Sequence, residues 1–191
     1  MRRRRLLCSL LLVAATGMGT AAAQQGAAGA AAPAAAAPLD RVVPAPASVH
    51  SGRSTFTLGD ATRIRVPGGS GEAKKIAGYL AGLLRPATGY DLPVTTKGGG
   101  DGIVLRLGGP GTGGLGAEGY RLTSGSRAVI LSAARPAGLF HGVQTLRQLL
   151  PPDVERQRAA RGPWRIAGGT ITDAPRYAYR GAMLDVSRHF F

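Results

Sequence analysis

The sequence predicts an α+β domain in which one largely antiparallel sheet carries two helices on a single face. Three observations lead there. Several short stretches alternate apolar and polar residues with the two-residue period of a strand, and two longer ones repeat apolar residues with the period of a helix. These stretches follow one another in the order β-β-α-β-β-β-α. The 191 residues give room for one domain of ordinary size. They are too few for a complete eight-stranded α/β barrel, which needs about 250. Hydrophobic residues at 44% allow a packed core, and 30 glycines and 13 prolines call for many turns.

Phe56 and Leu58 alternate with Thr55 and Thr57, the first strand signal. Ile64 and Val66 alternate with arginines and end at the turn Pro67-Gly68-Gly69. Ile76, Tyr79, Leu80, Leu83 and Leu84 then form one helical stripe. Ser70 is placed to cap that helix, Glu72 sits in its first turn, and Pro86 is expected to stop it. Ile103, Leu105 and Leu107 alternate again between glycines. Tyr120-Arg121-Leu122 and Ala128-Val129-Ile130-Leu131 read as a hairpin around Ser124-Gly125-Ser126. A second helix starts near Pro136, carries Leu139, Val143, Leu146 and Leu150 on one side, and closes at Pro151-Pro152. Gly138 and Gly142 weaken it by roughly 1 kcal/mol each relative to alanine, which makes sense where another backbone passes close.

The first residues stand apart from this domain. Four arginines at 2–5, an apolar run from Leu6 to Gly19 and the small-residue site Ala21-Ala22-Ala23 have the layout of a secretory signal peptide, assigned to 1–23. The alternative is a membrane anchor, but the apolar run is short of the roughly 20 residues that span a bilayer. Whether export follows the general or the twin-arginine route stays open. The only cysteine, Cys8, lies inside this run, so the mature chain holds no disulfide. Residues 24–39 are nearly all Ala, Gly, Pro and Gln and read as a flexible linker. Without four of the 24 basic residues, the balance against ten acids falls from +14 to +10.

A basic chain invites a nucleic-acid reading, which the distribution of charge opposes. Past the signal the longest basic run is Lys74-Lys75, and at 5% aromatics there is little to stack on bases. Gly109-Pro110-Gly111-Thr112-Gly113-Gly114 fits G-x-G-x-x-G, yet a strand signal rather than a helix follows, so it reads as a glycine-rich loop and implies no cofactor. His50, His141 and His189 are isolated from one another, so no metal set is expected, and His141 belongs to the polar side of the second helix.

The end of the chain changes texture. Ala182-Met183-Leu184-Asp185-Val186 is nearly unbroken apolar, as in a strand buried on both faces of a parallel sheet, so a second domain is expected to begin there. Residues 175–191 (PRYAYRGAMLDVSRHFF) closely resemble the opening of the catalytic barrel in β-N-acetylhexosaminidases of glycoside hydrolase family 20. Val42-Val43-Pro44-Ala45-Pro46, Gly89 to Val94 and Glu118 to Leu122 are similar to segments of that family's N-terminal domain. So are Gly138 to Pro151 (GLFHGVQTLRQLLP) and the junction Ile171 to Tyr177 (ITDAPRY). The resemblance implies an accessory α+β domain at 40–174 and, at 175–191, the first strand of a truncated (β/α)8 barrel.

It further implies an exported glycosidase, secreted or periplasmic, that removes terminal N-acetylglucosamine or N-acetylgalactosamine from glycans or chitooligosaccharides. The family works by substrate assistance, an exception to the two-carboxylate scheme. The substrate's acetamido oxygen attacks the anomeric carbon, a glutamate protonates the leaving oxygen, and a neighbouring aspartate orients the acetamido group. No adjacent Asp-Glu pair occurs here, so the chain is expected to hold no catalytic residue and to be inactive, while Asp173 and Asp185 read as structural. Arg180 matches the arginine that clamps the sugar's C3 and C4 hydroxyls; the alternative is an ordinary core or interface arginine. Arg188 and His189 are expected to orient the following loop. A second function class remains: a secreted, non-catalytic glycan-binding or interaction module.

Overall fold

The computed structural model describes residues 35–183. The expected signal peptide, most of the linker and positions 184–191 lie outside the described residues.

Seven strands form one sheet: β1 (Ser48–Leu58), β2 (Ile64–Arg65), β3 (Val94–Thr95), β4 (Gly102–Leu107), β5 (Tyr120–Ser124), β6 (Ala128–Ala133) and β7 (Trp164–Asp173). The helices are α1 (Gly71–Thr88), between β2 and β3, and α2 (Pro136–Leu149), between β6 and β7. In space the strands run β1-β7-β5-β6-β4-β2-β3. The α+β class and the two helices are as expected. The largely antiparallel sheet is not: β1–β7, β7–β5 and β5–β6 are antiparallel, whereas β6–β4, β4–β2 and β2–β3 are parallel. The reason lies in the chain order. α1 carries the chain back over the sheet between β2 and β3, and the loops before β4 and after it make the other returns, so these neighbours run the same way.

Strand parity decides which face is buried. The register sets Leu122 beside both Leu131 and Ile171, all fully buried, while Arg121 and Thr123 on the other face are exposed. Ile64, Ile103 and Val129 continue the buried face. Leu80 and Leu84 of α1 and Leu139, Val143 and Leu146 of α2 complete that core. Burying each such side chain stabilises the fold by about 1.5–3 kcal/mol relative to exposure.

The helix boundaries follow local chemistry. Ser70 Oγ accepts from the Ala73 N–H at 3.4 Å, the expected cap. Pro86 does not stop α1, which continues to Thr88. In the last turn a proline forfeits only one hydrogen bond, and Thr88 Oγ1 adds a side-chain bond to that turn by donating to the Leu84 carbonyl at 2.7 Å. Gly89, with φ 70°, then ends the helix in the left-handed region and donates to Arg85 O at 2.9 Å.

The sequence reading lacked two strands, the two-residue β3 and the long β7. Gly168-Gly169 in the middle of β7 weakens the pattern. These glycines face a bulge in β1, where Ser51 pairs with Gly169 but Thr55 already pairs with Ala167. A Cβ on Gly169 would meet the His50 carbonyl and Leu39, so only glycine lets β1 cross there. Packing begins inside the stretch read as linker, since Ala37 bridges Ile166 and Leu39 is 1% exposed. At the other end, residues 181–183 form no strand and Met183 is exposed; the rest of the expected barrel strand lies outside the described residues.

Gly138 and Gly142 are where the close approach was expected. A Cβ on Gly138 would meet the Gly119 carbonyl and come within 2.9 Å of Ala133 Cβ, and one on Gly142 would meet the Leu131 side chain. Gly78 on α1 faces open space. Gly78→Ala should therefore raise the unfolding free energy by about 1 kcal/mol. Gly138→Ala should lower it by about 1–3 kcal/mol through overpacking. Urea titration of the two variants compares them directly, and equal effects would show that α2 does not lie as close as described.

Candidate functional site

The β4–β5 loop ends at Glu118-Gly119, where α2 presses on it. One turn into α2, His141 Nδ1 lies 3.1 Å from the Glu118 carbonyl oxygen. A carbonyl only accepts, so Nδ1 carries the proton in this bond. His141 is therefore half-buried and bonded, not on a free polar side. With its backbone held, Glu118 turns its carboxylate toward Arg180. Nη2 of Arg180 donates to Oε1 at 2.9 Å and Oε2 at 2.8 Å, and Nη1 donates to the Tyr177 carbonyl at 2.8 Å. The side chains remain 45% and 40% exposed, so solvent screens the pair and it orients more than it stabilises. The Arg180 hydrogen bond holds the Glu118 carboxyl below its ordinary range, against a smaller opposing effect of desolvation.

Beneath this cluster, the Tyr120 hydroxyl meets Thr145 Oγ1 of α2 in the core. Burial pushes the Tyr120 phenol up to about 12, the Thr145 hydrogen bond opposes the shift, and Asp173 adds to it. Asp173, expected to be structural, accepts from the Ala47 N–H at 3.0 Å and fixes the entry to β1. Asp185, Arg188 and His189 lie outside the described residues.

The other sequence candidates are dispersed. Gly109 to Gly114 lies in the β4–β5 loop and leads to a strand, with Thr112 Oγ1 donating back to Gly109 O at 2.9 Å. Among the described residues, His50 Nε2 lies 3.2 Å from Ser48 Oγ. Among the described residues no three His, Cys, Asp or Glu side chains gather as a metal set, and no helix is long and apolar enough to cross a membrane. A hollow of about 460 Å³ at the end of α2 holds Arg147, which binds Glu155 at 2.6 and 3.1 Å and Gln144 Oε1 at 2.7 Å. Glu118 is the site residue the sequence reading missed as a partner: it stands 62 positions from Arg180, and no periodicity joins them.

Comparison with known proteins gives this arrangement its setting. Residues 40–174 match the family model described as glycosyl hydrolase family 20, domain 2. A β-hexosaminidase of Porphyromonas gingivalis is 36% identical over 149 residues, which are 78% of this chain and 19% of that protein. The solved family 20 β-N-acetylhexosaminidase of Streptomyces coelicolor A3(2) is 59% identical, with a TM-score of 0.76 over 83% of this chain and 31% of its own. A mutant Streptomyces plicatus β-hexosaminidase in complex with its product, GlcNAc, is 61% identical with a TM-score of 0.76 over 84% of this chain and 31% of its own. These likenesses place the chain among the glycoside hydrolases. It belongs to glycosyl hydrolase family 20, and it spans about a fifth to a third of the length of these β-hexosaminidases.

Two titrations test the cluster. Glu118 should titrate below its ordinary 4.5, and Arg180→Gln should move it up toward that value, read by carboxyl carbon NMR. Because the folded value is depressed, the pair's contribution is present above the unfolded value and fades as pH falls through the folded one. Tyr120 has the opposite sign. Its contribution is complete below pH 10 and is lost as pH rises toward about 12. Tyr120→Phe should therefore lose less stability than the parent between those values in denaturant titrations.

Proposed function

We propose that these residues serve as the non-catalytic N-terminal part of an exported β-N-acetylhexosaminidase. That enzyme would take terminal N-acetylglucosamine or N-acetylgalactosamine from glycans or chitooligosaccharides. The observation that carries this reading is the 61% identity and TM-score of 0.76 with a β-hexosaminidase solved with GlcNAc. Four arginines followed by the apolar run from Leu6 support export through a signal peptide.

The chemistry assigned to the whole protein is substrate-assisted, retaining hydrolysis. The acetamido oxygen of the substrate bonds to the anomeric carbon as the glycosidic bond breaks, and a glutamate delivers a proton to the leaving oxygen. An aspartate next to that glutamate holds the acetamido group. The 191 residues contain no adjacent Asp-Glu, so by themselves they supply neither acid. Their contribution is Arg180, whose planar fork of donors suits two neighbouring hydroxyls, C3 and C4 of the sugar. In the described structure that side chain is bonded to Glu118 and to the Tyr177 carbonyl, so the sugar would compete with Glu118 for it.

The 191-residue chain is expected to show no enzyme-like turnover of an aryl N-acetylglucosaminide, and turnover would overturn the reading. In the longer hexosaminidase containing these residues, Arg180→Ala should lower kcat/KM by about tenfold to a hundredfold, the loss of one charge-assisted hydrogen bond or more. An unchanged kcat/KM would remove Arg180 from the sugar site.

A further inference from the structure

β3 and β4 lie parallel on either side of β2, so the six residues from Thr96 to Asp101 must cross β2 to return. They cross on the face away from the helices and cover Arg65. Arg65 is 7% exposed, and its Nη1 is 3.5 Å from where a Cβ on Gly98 would stand. Its Nη2 is enclosed and has no hydrogen-bond partner. Among the described residues no carboxylate forms an ion pair with it. A guanidinium with one nitrogen enclosed and unpartnered and no carboxylate paired to its charge is a costly arrangement, and one that an anion beside it relieves.

Arg65 lines a hollow of about 370 Å³ together with Thr57, Thr62, Arg63, Asp101 and Arg127. The one carboxylate there is engaged elsewhere: Arg127 Nε and Nη2 donate to the two oxygens of Asp101, each at 3.0 Å. Two arginine charges, Arg63 and Arg65, are left over. Candidate donors are therefore Arg63, Arg65 of β2, and Thr57 and Thr62, which line the same hollow. A group with three or four oxygens uses such a spread set better than a planar carboxylate does. The volume falls within the range of about 300–1,000 Å³ common for small-ligand sites, so a sugar ring fits beside the charged group.

We propose that this hollow is an anion site that takes a sulfate or phosphate group, free or as an ester on a sugar. The site lies at the opposite end of β5 and β6 from Glu118 and Arg180, and it does not depend on the hydrolase reading.

Calorimetric titration of the 191-residue chain at constant ionic strength tests it, with inorganic sulfate, inorganic phosphate, N-acetylglucosamine 6-sulfate and uncharged N-acetylglucosamine as probes. Saturable binding of the anions and none of the uncharged sugar is expected. A sulfated sugar that binds more tightly than inorganic sulfate identifies an ester site, and equal or weaker binding identifies a free-ion site. Arg65→Met should weaken anion binding by about tenfold, the loss of a charge-assisted contact. Arg135→Gln, an exposed arginine past the far end of β6, should leave it unchanged. Asp101→Asn, at an exposed position that does not depend on Arg65→Met folding, should tighten binding by removing the local negative charge. No saturable binding by any anion, or an affinity that neither Arg65→Met nor Asp101→Asn moves, overturns the proposal and leaves water as the occupant.

Discussion

The distance between α2 and the sheet governs the rest of the molecule. Gly138 admits the Gly119 carbonyl and Gly142 admits Leu131 where any side chain would hold the helix away. Because α2 lies that low, Thr145 reaches the Tyr120 hydroxyl in the core, and His141 reaches the Glu118 carbonyl at the rim. A helix displaced outward by a methyl group would lose both bonds together. The two glycines weaken α2 as an isolated helix and make it useful as a packed one, because packing of an apolar face, not propensity, supplies most of a helix's stability in a protein.

The two halves of the sheet do different things. The antiparallel half, β1-β7-β5-β6, is joined through tight pairing and one hairpin, and its outer face stays open, with Arg121 and Thr123 in solvent. The parallel half, β6-β4-β2-β3, needs long returns. One return is α1, over the inner face; another is the loop from Thr96 to Asp101, over the outer face. That loop turns a strand arginine into a buried one. Burial of Arg65 thus follows from topology, and no feature of the residue itself announces it.

This separates what was legible in the sequence from what was not. Both helices and the hairpin could be read, because their evidence is local: the stripe through Ile76, Leu80 and Leu84, the Ser70 cap, and Gly125 between alternating runs. Strand direction is not local. Ile64 and Ile103 alternate alike whether they run parallel or antiparallel, and only the intervening helix argues for parallel. β7 was hidden because Gly168 and Gly169 answer to a bulge in a strand more than a hundred residues earlier. In the candidate site, Arg180 was singled out through motif resemblance, whereas Glu118 had no signal of its own because its partner lies 62 positions away.

The arrangement around Arg180 also constrains its proposed role. A guanidinium has five N–H donors in a fixed plane. Nη2 donates to both Glu118 oxygens, and Nη1 donates to the Tyr177 carbonyl. Either edge of the fork that offers two parallel donors, Nε with Nη2 or Nη1 with Nη2, includes the Nη2 that Glu118 holds. Two vicinal hydroxyls need one shared edge to be held together, so a sugar clamp and the full Glu118 pair exclude each other. Glu118 is the partner suited to yield: it is on the surface, half-exposed, and it loses little when water replaces the arginine. Under the hexosaminidase reading, the accessory domain's carboxylate and the sugar's hydroxyls compete for one edge of the same side chain. A weak, solvated ion pair suits that competition better than a buried one would.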